Sequence, residues 1–320
     1  MTNDGGPALR GRRFRVRRRA ALRVPRCPAL HLRRCMARVA CAAFAVAVAG
    51  CVSVTAKPRA LLLRDDGSVA VQTLACPHAI EQMLATQPRT PREGLDPDAI
   101  RLVTWNIHKQ ADRGWQRDLR RVSDRNDLVL LQETVLDPAL EKIIHAEGLR
   151  FVMASSFLES GTDIGVMSAS RIPAIANCTQ RVVEPLLRIP KSAVISWFAL
   201  EGRQETLAVV NVHAINFSLS LGAYREQLAA IGDALAQHRG PLIVAGDLNT
   251  WTDARAQAVR HLASRLGLTE VRFTPDARSH FFGHELDHIY VRDLATIAAH
   301  ATIVTSSDHN PVAATLRVAR

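Results

Sequence analysis

From Ile100 onward the chain carries a series of short apolar runs, and most of them lead to a residue able to do chemistry. IRLVT (100–104) leads to Asn106, DLVLL (127–131) to Glu133, LAVVNV (207–212) to His213, and LIVA (242–245) to Asp247 and Asn249. LDHIYV (286–291) has Asp287 near its start, and TSSDHNP (305–311), with Asp308 and His309, precedes the last run, Val312 to Val318. Runs this short, bounded by turn formers, read as strands rather than helices. Further strands are expected near 149–154, 164–169 and 193–200, separated by Pro173, Pro185 and Pro190. Helices are expected over 112–122, after Asp137-Pro138, over 218–238 and near 253–266. Asp137 suits an N-cap and Pro138 the first helical position. Strands and helices mix without strict alternation, and several strands are consecutive. That pattern predicts an α/β sandwich of mixed sheets with outer helices.

The stretch from Pro241 to Trp251, PLIVAGDLNTW, shows how such a run presents chemistry. Gly246 breaks the run, and alternation along an extended chain predicts Asp247 and Asn249 on one side. Loops at strand ends on a rigid sheet are common places for catalytic groups. GDxN alone reads equally well as a turn in which Asp and Asn bond their own backbone. Asn106 has a turn-former reading, Glu133 a solvated strand end, and His213 a satisfied core histidine. Asp308-His309 can be a plain loop pair. Eight such residues at the ends of separate apolar strands are harder to assign to structure together. Trp251 is either a stacking platform or core, and core is the safer reading.

The formal net charge of +11 suggests nucleic acid or an acidic membrane. Its distribution removes that suggestion for the globular part. Residues 1–50 hold twelve of the 41 Lys and Arg but one of the 30 Asp and Glu, leaving 29 of each beyond. The six cysteines, at 27, 35, 41, 51, 76 and 178, have no metal-site spacing. Cys76 and Cys178 lie beyond the N-terminal arm and can pair in an oxidising compartment. Met36-Ala37-Arg38, the apolar run VACAAFAVAVA (39–49) and Gly50-Cys51 have the layout of a secretory signal. Val48-Ala49-Gly50-Cys51 also resembles the bacterial lipobox, which predicts a chain lipid-anchored through Cys51 in the cell envelope, with Met36 as an alternative start. The competing reading is an Ala-rich core helix or poor span in a cytoplasmic protein. Residues 51–99, punctuated by Pro58, Pro77, Pro88, Pro91 and Pro97, read as a linker with a short helix over 79–85. The catalytic-type domain is expected over 100–320.

The blocks TWNI (104–107), LLQE (130–133), NVHAINF (211–217), GDLN (246–249), LDHIYV (286–291) and SDHNPV (307–312) resemble, in order, the motif series of the endonuclease/exonuclease/phosphatase family. WNIHKQ, RIPKSA and VNVHAINFSL look like its YafD-like bacterial subgroup. The resemblance implies a DNase I-like four-layer sandwich, two packed mixed β-sheets flanked by helices. It implies hydrolysis of a phosphate ester with Mg2+, or Mn2+, as cofactor. Glu133 is then the principal metal ligand, with Asn106 beside it and Asp308 nearby. Asp247 orients or deprotonates the attacking water, and Asn249 holds Asp247 and the phosphoryl group. His309 contacts the phosphate, with Asp287 fixing its ring. His213 stands where the DNase I and sphingomyelinase branches have His and the repair nucleases Tyr, which weighs against abasic-site repair.

The chemistry agrees. Magnesium held by few carboxylates keeps open positions for substrate and water, and imidazoles add acid–base capacity. No GxSxG or P-loop is present, so covalent-serine and nucleotide-cradling schemes lack support. A nuclease is the first expectation, on DNA or RNA, with Lys109, Arg188 and Lys191 as local substrate contacts or ordinary surface. The neutral charge beyond residue 50 argues against tight nonspecific binding of DNA. A phosphodiesterase or phosphatase on lipid or small-molecule phosphates is the alternative, and a non-catalytic binding protein the least favoured. No protein partner is predicted.

Overall fold

The computed structural model describes residues 52–64, 66–85, 93–218 and 220–319. The Arg-rich arm, the apolar run and Cys51 lie outside them. In chain order the first strands are β1 (Val52–Ser53), β2 (Arg59–Leu63) and β3 (Val69–Gln72), followed by helix α1 (Cys76–Ala85). Next come β4 (Ile100–Asn106), α2 (Trp115–Asp124), β5 (Leu128–Val135) and α3 (Pro138–Ala146). Five strands run on without a helix: β6 (Arg150–Glu159), β7 (Thr162–Ser170), β8 (Ala176–Val183), β9 (Pro190–Ala199) and β10 (Thr206–His213). Then α4 (Gly222–Ala234), β11 (Leu242–Asp247), α5 (Asp253–Leu266) and β12 (Thr269–Glu270) follow. The chain closes with β13 (His280–Phe281), β14 (His284–Glu285), β15 (Asp287–Arg292), β16 (Leu294–Ala301) and β17 (Val312–Val318).

A nine-stranded sheet runs in the order β16-β17-β4-β5-β7-β6-β2-β3, with β1 also on β6, and a six-stranded sheet in the order β12-β15-β11-β10-β9-β8. β13 and β14 form a separate hairpin. Alternation along the central strands builds the layers. Ile100, Leu102, Leu128, Leu130, Val312 and Ala314 of the first sheet meet Val209, Ile243, Ala245 and Ile289 of the second in one buried core. Val103, Trp105, Val129 and Leu131 face the other way, onto Leu119 of α2 and Leu140, Ile143 and Ile144 of α3. Ala208, Val210, Val212 and Val244 pack on Tyr224, Leu228 and Ile231 of α4 and on Val259 and Leu262 of α5. The result is helices, sheet, sheet, helices: a DNase I-like α/β sandwich.

The described part of 52–99 is built into the fold, where a linker was expected. β2 pairs antiparallel with β6 through Arg59↔Ser155 to Leu62↔Val152, and β3 extends that edge. RALLL buries Ala60 and Leu61, which is why this proline-punctuated segment joins the sheet. Cys76, opening α1, is disulfide-bonded to Cys178 of β8 across 102 residues of sequence. Pro77 sits in the first turn of α1, where proline is at home. Closing a loop that long removes denatured-state entropy of roughly 4–5 kcal/mol. Replacing both cysteines by Ala is expected to lower Tm by roughly 7–9 °C. A thermal melt unchanged by the double substitution refutes that weight.

Candidate active site

The inner faces of the two sheets change character along their length. Beyond the apolar core comes a polar layer: Thr104, Gln132 and Asn211, all fully buried. Gln132 Nε2 donates to Thr104 Oγ1 at 3.0 Å and to Asn211 Oδ1 at 2.6 Å, and Asn211 Nδ2 donates to the Met167 carbonyl at 2.8 Å. Two residues further along the same faces lie Asn106 on β4 and His213 on β10. The register sets His213 beside Asp247, and Asp247 opposite Asp287. Strand alternation thus delivers Asn106, His213, Asp247 and Asp287 to one end of the inter-sheet space.

Two carboxylates directly opposite on neighbouring strands repel. His309 resolves this: its Nδ1 lies 2.7 Å from Asp287 Oδ2, and its Nε2 lies 4.0 Å from Asp247 Oδ2. Burial alone would depress the His309 imidazole, but the Asp287 and Asp247 carboxylates push it up to about 10. Burial pushes Asp247 up to about 6, partly opposed by His309 and the hydrogen bond from Asn106. Asp247 is held by Asn106 Nδ2 at 3.0 Å on one oxygen and by the Asn249 backbone N–H at 3.0 Å on the other. Gly246 permits this strand end: its φ is +141°, and a Cβ there would collide with the Val212 carbonyl.

Asn249 departs from the expected alternation. Its φ is +48°, β11 stops at Asp247, and its carboxamide donates to the Ala214 carbonyl at 3.1 Å. It steadies Asp247 through its backbone, as an Asx turn does. Glu133 is not at a strand end. It sits inside β5 where the register with β7 slips between Leu131 and Thr134, with φ +51°. The bulge turns its side chain into the cleft, 3.8 Å from His213 Nε2 and 4.0 Å from Lys191 Nζ.

Lys191 Nζ also lies 2.9 Å from His213 Nε2. Burial first, then Lys191 and His309, hold His213 well below its ordinary value, so its imidazole is neutral. Asp308 is 61% exposed and 4.0 Å from His108 Nδ1, at the rim. Lys109 lines the cleft with His108, on a left-handed turn over His108–Gln110. Gln110 pins that turn by two hydrogen bonds to the Val135 backbone. Arg188, expected beside the substrate, is exposed on the turn after β8 and lines no part of the cavity around Glu133.

Sequence reasoning did not single out several residues that hold the site. Ser307 Oγ donates to the Asn106 carbonyl at 2.7 Å and accepts from the His309 N–H at 3.1 Å, tying the two loops together. Its place in SDHNPV was the available signal. Glu184 and Arg255, buried under the loop after His213, gave none.

The donor set suits a hard cation. One ligand atom each of Asp247, Asp287 and His309 lies within 4.8 Å of the others, and the buried Asp287 Oδ1 has no hydrogen-bond partner among the described residues. Glu133 and Asn106 offer further oxygens.

The Endonuclease/Exonuclease/phosphatase family profile matches residues 103–309. A UPF0294 protein of Vibrio cholerae is 40% identical over 228 residues, covering 71% of this chain and 81% of that protein. A UPF0294 protein of Yersinia pseudotuberculosis is 40% identical over 216 residues, 67% of this chain and 82% of that protein. Among solved structures, an endonuclease/exonuclease/phosphatase from Beutenbergia cavernae superposes with TM-score 0.56 at 19% identity, covering 69% of this chain and 72% of that one. The human Nocturnin catalytic domain with bound sulfate superposes with TM-score 0.53 at 20% identity, covering 72% of this chain and all of that one. The ordered motifs, the four-layer fold and these matches agree: the chain belongs to the endonuclease/exonuclease/phosphatase family, beside the YafD-like UPF0294 proteins.

Proposed function

We propose that the protein hydrolyses phosphodiesters with the help of a divalent cation, and that nucleic acid is its substrate. The observation that carries this is the convergence of Asp247, the Asp287–His309 pair and, from the bulge in β5, Glu133 in one cleft. Asp247, oriented by Asn106 and Asn249, accepts a proton from the attacking water. His309, cationic and fixed by Asp287, hydrogen-bonds a phosphoryl oxygen and stabilises the charge that develops there. Lys191 adds a second positive charge, held beside Glu133 by neutral His213. Glu133 and Asn106 would hold Mg2+ or Mn2+, with Asp308 at the rim. Protonated His309, its Nδ1 taken by Asp287, suits proton handling rather than ligation. A bound divalent cation would act as a Lewis acid on the phosphoryl group.

ANGEL2, described as a 2′,3′-cyclic phosphatase, shares the fold at TM-score 0.53, and the Nocturnin domain carries a sulfate. Both are in keeping with phosphate chemistry on this scaffold. A second reading, a lipid or small-molecule phosphate, is favoured by Leu186, Leu187, Phe217, Phe281 and Phe282, all at least half exposed. Lipid anchoring at Cys51 in the cell envelope remains our proposal, supported by the Cys76–Cys178 disulfide, since disulfides persist in oxidising compartments.

The test is hydrolysis by the purified chain of supercoiled plasmid, single-stranded DNA, RNA, sphingomyelin, inositol phosphates and bis-p-nitrophenyl phosphate. Magnesium or manganese is added, or removed with EDTA. Nucleic-acid cleavage that stops with EDTA is the expected result. Cleavage of lipid or inositol phosphate alone establishes the second reading, and no hydrolysis of anything refutes the proposal.

A further inference from the structure

A cavity of about 280 Å³ opens beside the reacting groups. Glu133, His213, Lys191 and Lys109 are among its polar lining groups, and Phe157, Ile189, Leu187 and Phe217 among its apolar ones. Its volume falls just below the usual range for small-molecule sites, ~300–1,000 Å³, so it accommodates one unit of a substrate rather than a duplex.

Phe217 is 50% exposed and belongs to none of the buried hydrophobic clusters. The loop that carries it is nevertheless pinned by two buried charges. Glu184, 1% exposed, accepts the N–H groups of Asn216 at 2.8 Å and Phe217 at 2.6 Å. Arg255, also 1% exposed, donates to the carbonyls of Ile215, Asn216 and Asn249 and to Ser218 Oγ. Its guanidinium lies over the rings of Tyr224 and Trp251, at 4.6 and 4.5 Å. Burying a carboxylate and a guanidinium is costly unless both are fully satisfied. Here both hold the loop after His213, Glu184 through two backbone N–H groups and Arg255 chiefly through two carbonyls. Glu184 also opens the turn that carries Leu187, its backbone bonded to Ile189 and Arg188. One residue thus fixes two walls of the cavity, the Phe217 loop through its carboxylate and the Leu187 turn through its backbone, and the Phe217 ring is not needed for the core.

Resting on the nuclease reading, we infer that this cavity is a nucleobase subsite, in which Phe217 stacks on the base adjoining the scissile phosphate of a single-stranded substrate. The charge arrangement matches a nucleotide: Lys191 and Lys109 for the phosphate, apolar walls for the base. A bare aromatic face takes any base, because every base has a π-face. The equal numbers of basic and acidic residues beyond residue 50 fit a substrate gripped by stacking more than by a cationic track.

The test is binding, with the full chain in EDTA so that nothing turns over. Fluorescence anisotropy compares a single-stranded thymidine oligomer with an abasic tetrahydrofuran oligomer of equal length and charge. The wild type is expected to bind the thymidine oligomer roughly tenfold more tightly, the size of one base–aromatic stack. Phe217→Ala and Leu187→Ala should lose that preference and Phe217→Trp retain it, with circular dichroism and Tm verifying the fold. Equal affinity for both oligomers in the wild type overturns the inference, as does an intact preference in folded Phe217→Ala. Flotation with phosphatidylethanolamine/phosphatidylglycerol vesicles is run beside it. Vesicle binding lost in Phe217→Ala, without base dependence, assigns the ring to lipid and also overturns it. Base-dependent binding by a protein that cleaves no nucleic acid strikes the proposed activity and leaves the subsite. Cleavage indifferent to bases and to Phe217 does the reverse.

Discussion

Asp247→Asn is expected to lower kcat by at least ~100-fold, the effect of losing a positioned general base. The carboxamide nearly preserves shape and the contact with the Asn249 N–H, but it cannot accept a proton from water. In the wild type the rate should rise as pH passes about 6, where Asp247 ionises, and fall as it passes about 10, where His309 loses its proton. The variant loses the rising limb. Its falling limb moves to lower pH, because the Asp247 charge is one of those that raise His309. Stability moves the other way. Asp247 is raised from 3.8 to about 6 in the fold, so above that pH its ionised form opposes folding. Removing the charge leaves Tm at pH 8 equal to the wild type or higher, a trade between activity and stability common at reactive sites. Wild-type turnover in Asp247→Asn would remove Asp247 from the chemistry.

His309→Ala is expected to lower kcat by a further large factor of the same order, ~100-fold or more, through loss of the charged donor at the phosphoryl group. Unlike the first substitution it also weakens the fold, since Asp247 and Asp287 then face each other across β11 and β15 with nothing between. The His309 imidazole is raised from 6.5 to about 10. Its stabilising contribution is therefore complete below about 6.5 and is lost as pH rises through about 10. Melting curves should show the variant below the wild type near pH 7, with the gap closing toward pH 10. A gap that widens with rising pH contradicts the assigned pairing.

The central strands were legible because their inner faces alternate cleanly and end on polar residues. β4, β10, β11 and β15 all lie mid-sheet, and the sequence places them nearly to the residue. Most of the missed strands lie at or beside the sheet edges. β8 and β16 border their sheets, and β2 and β3 close the far side of the first. An edge strand leaves one flank to solvent, so its pattern is mixed. ANCTQRVV and LATIAAHA look like loop for that reason. The site residues were readable as types but not always as geometry. The bulge that turns Glu133 inward depends on pairing with β7, which local sequence does not encode. The left-handed Asn249 turned a side-chain role into a backbone one. Gln132 and Asn211, which brace the sheets behind the site, look in sequence like ordinary polar residues within strands.

The bond between Cys76 and Cys178 gives the chain a second covalent route. A protease that cuts anywhere between Pro77 and Ala99 opens the main chain but does not release what lies upstream of the cut, because the sulfur bridge still joins Cys76 to β8. Any tension applied at Val52 follows the same two routes. It can peel β1, β2 and β3 from the sheet, but at Cys76 the load passes sideways into the second sheet. The strands that carry Asn106 and Glu133, enclosed in the chain between the two cysteines, therefore lie behind a mechanical stop.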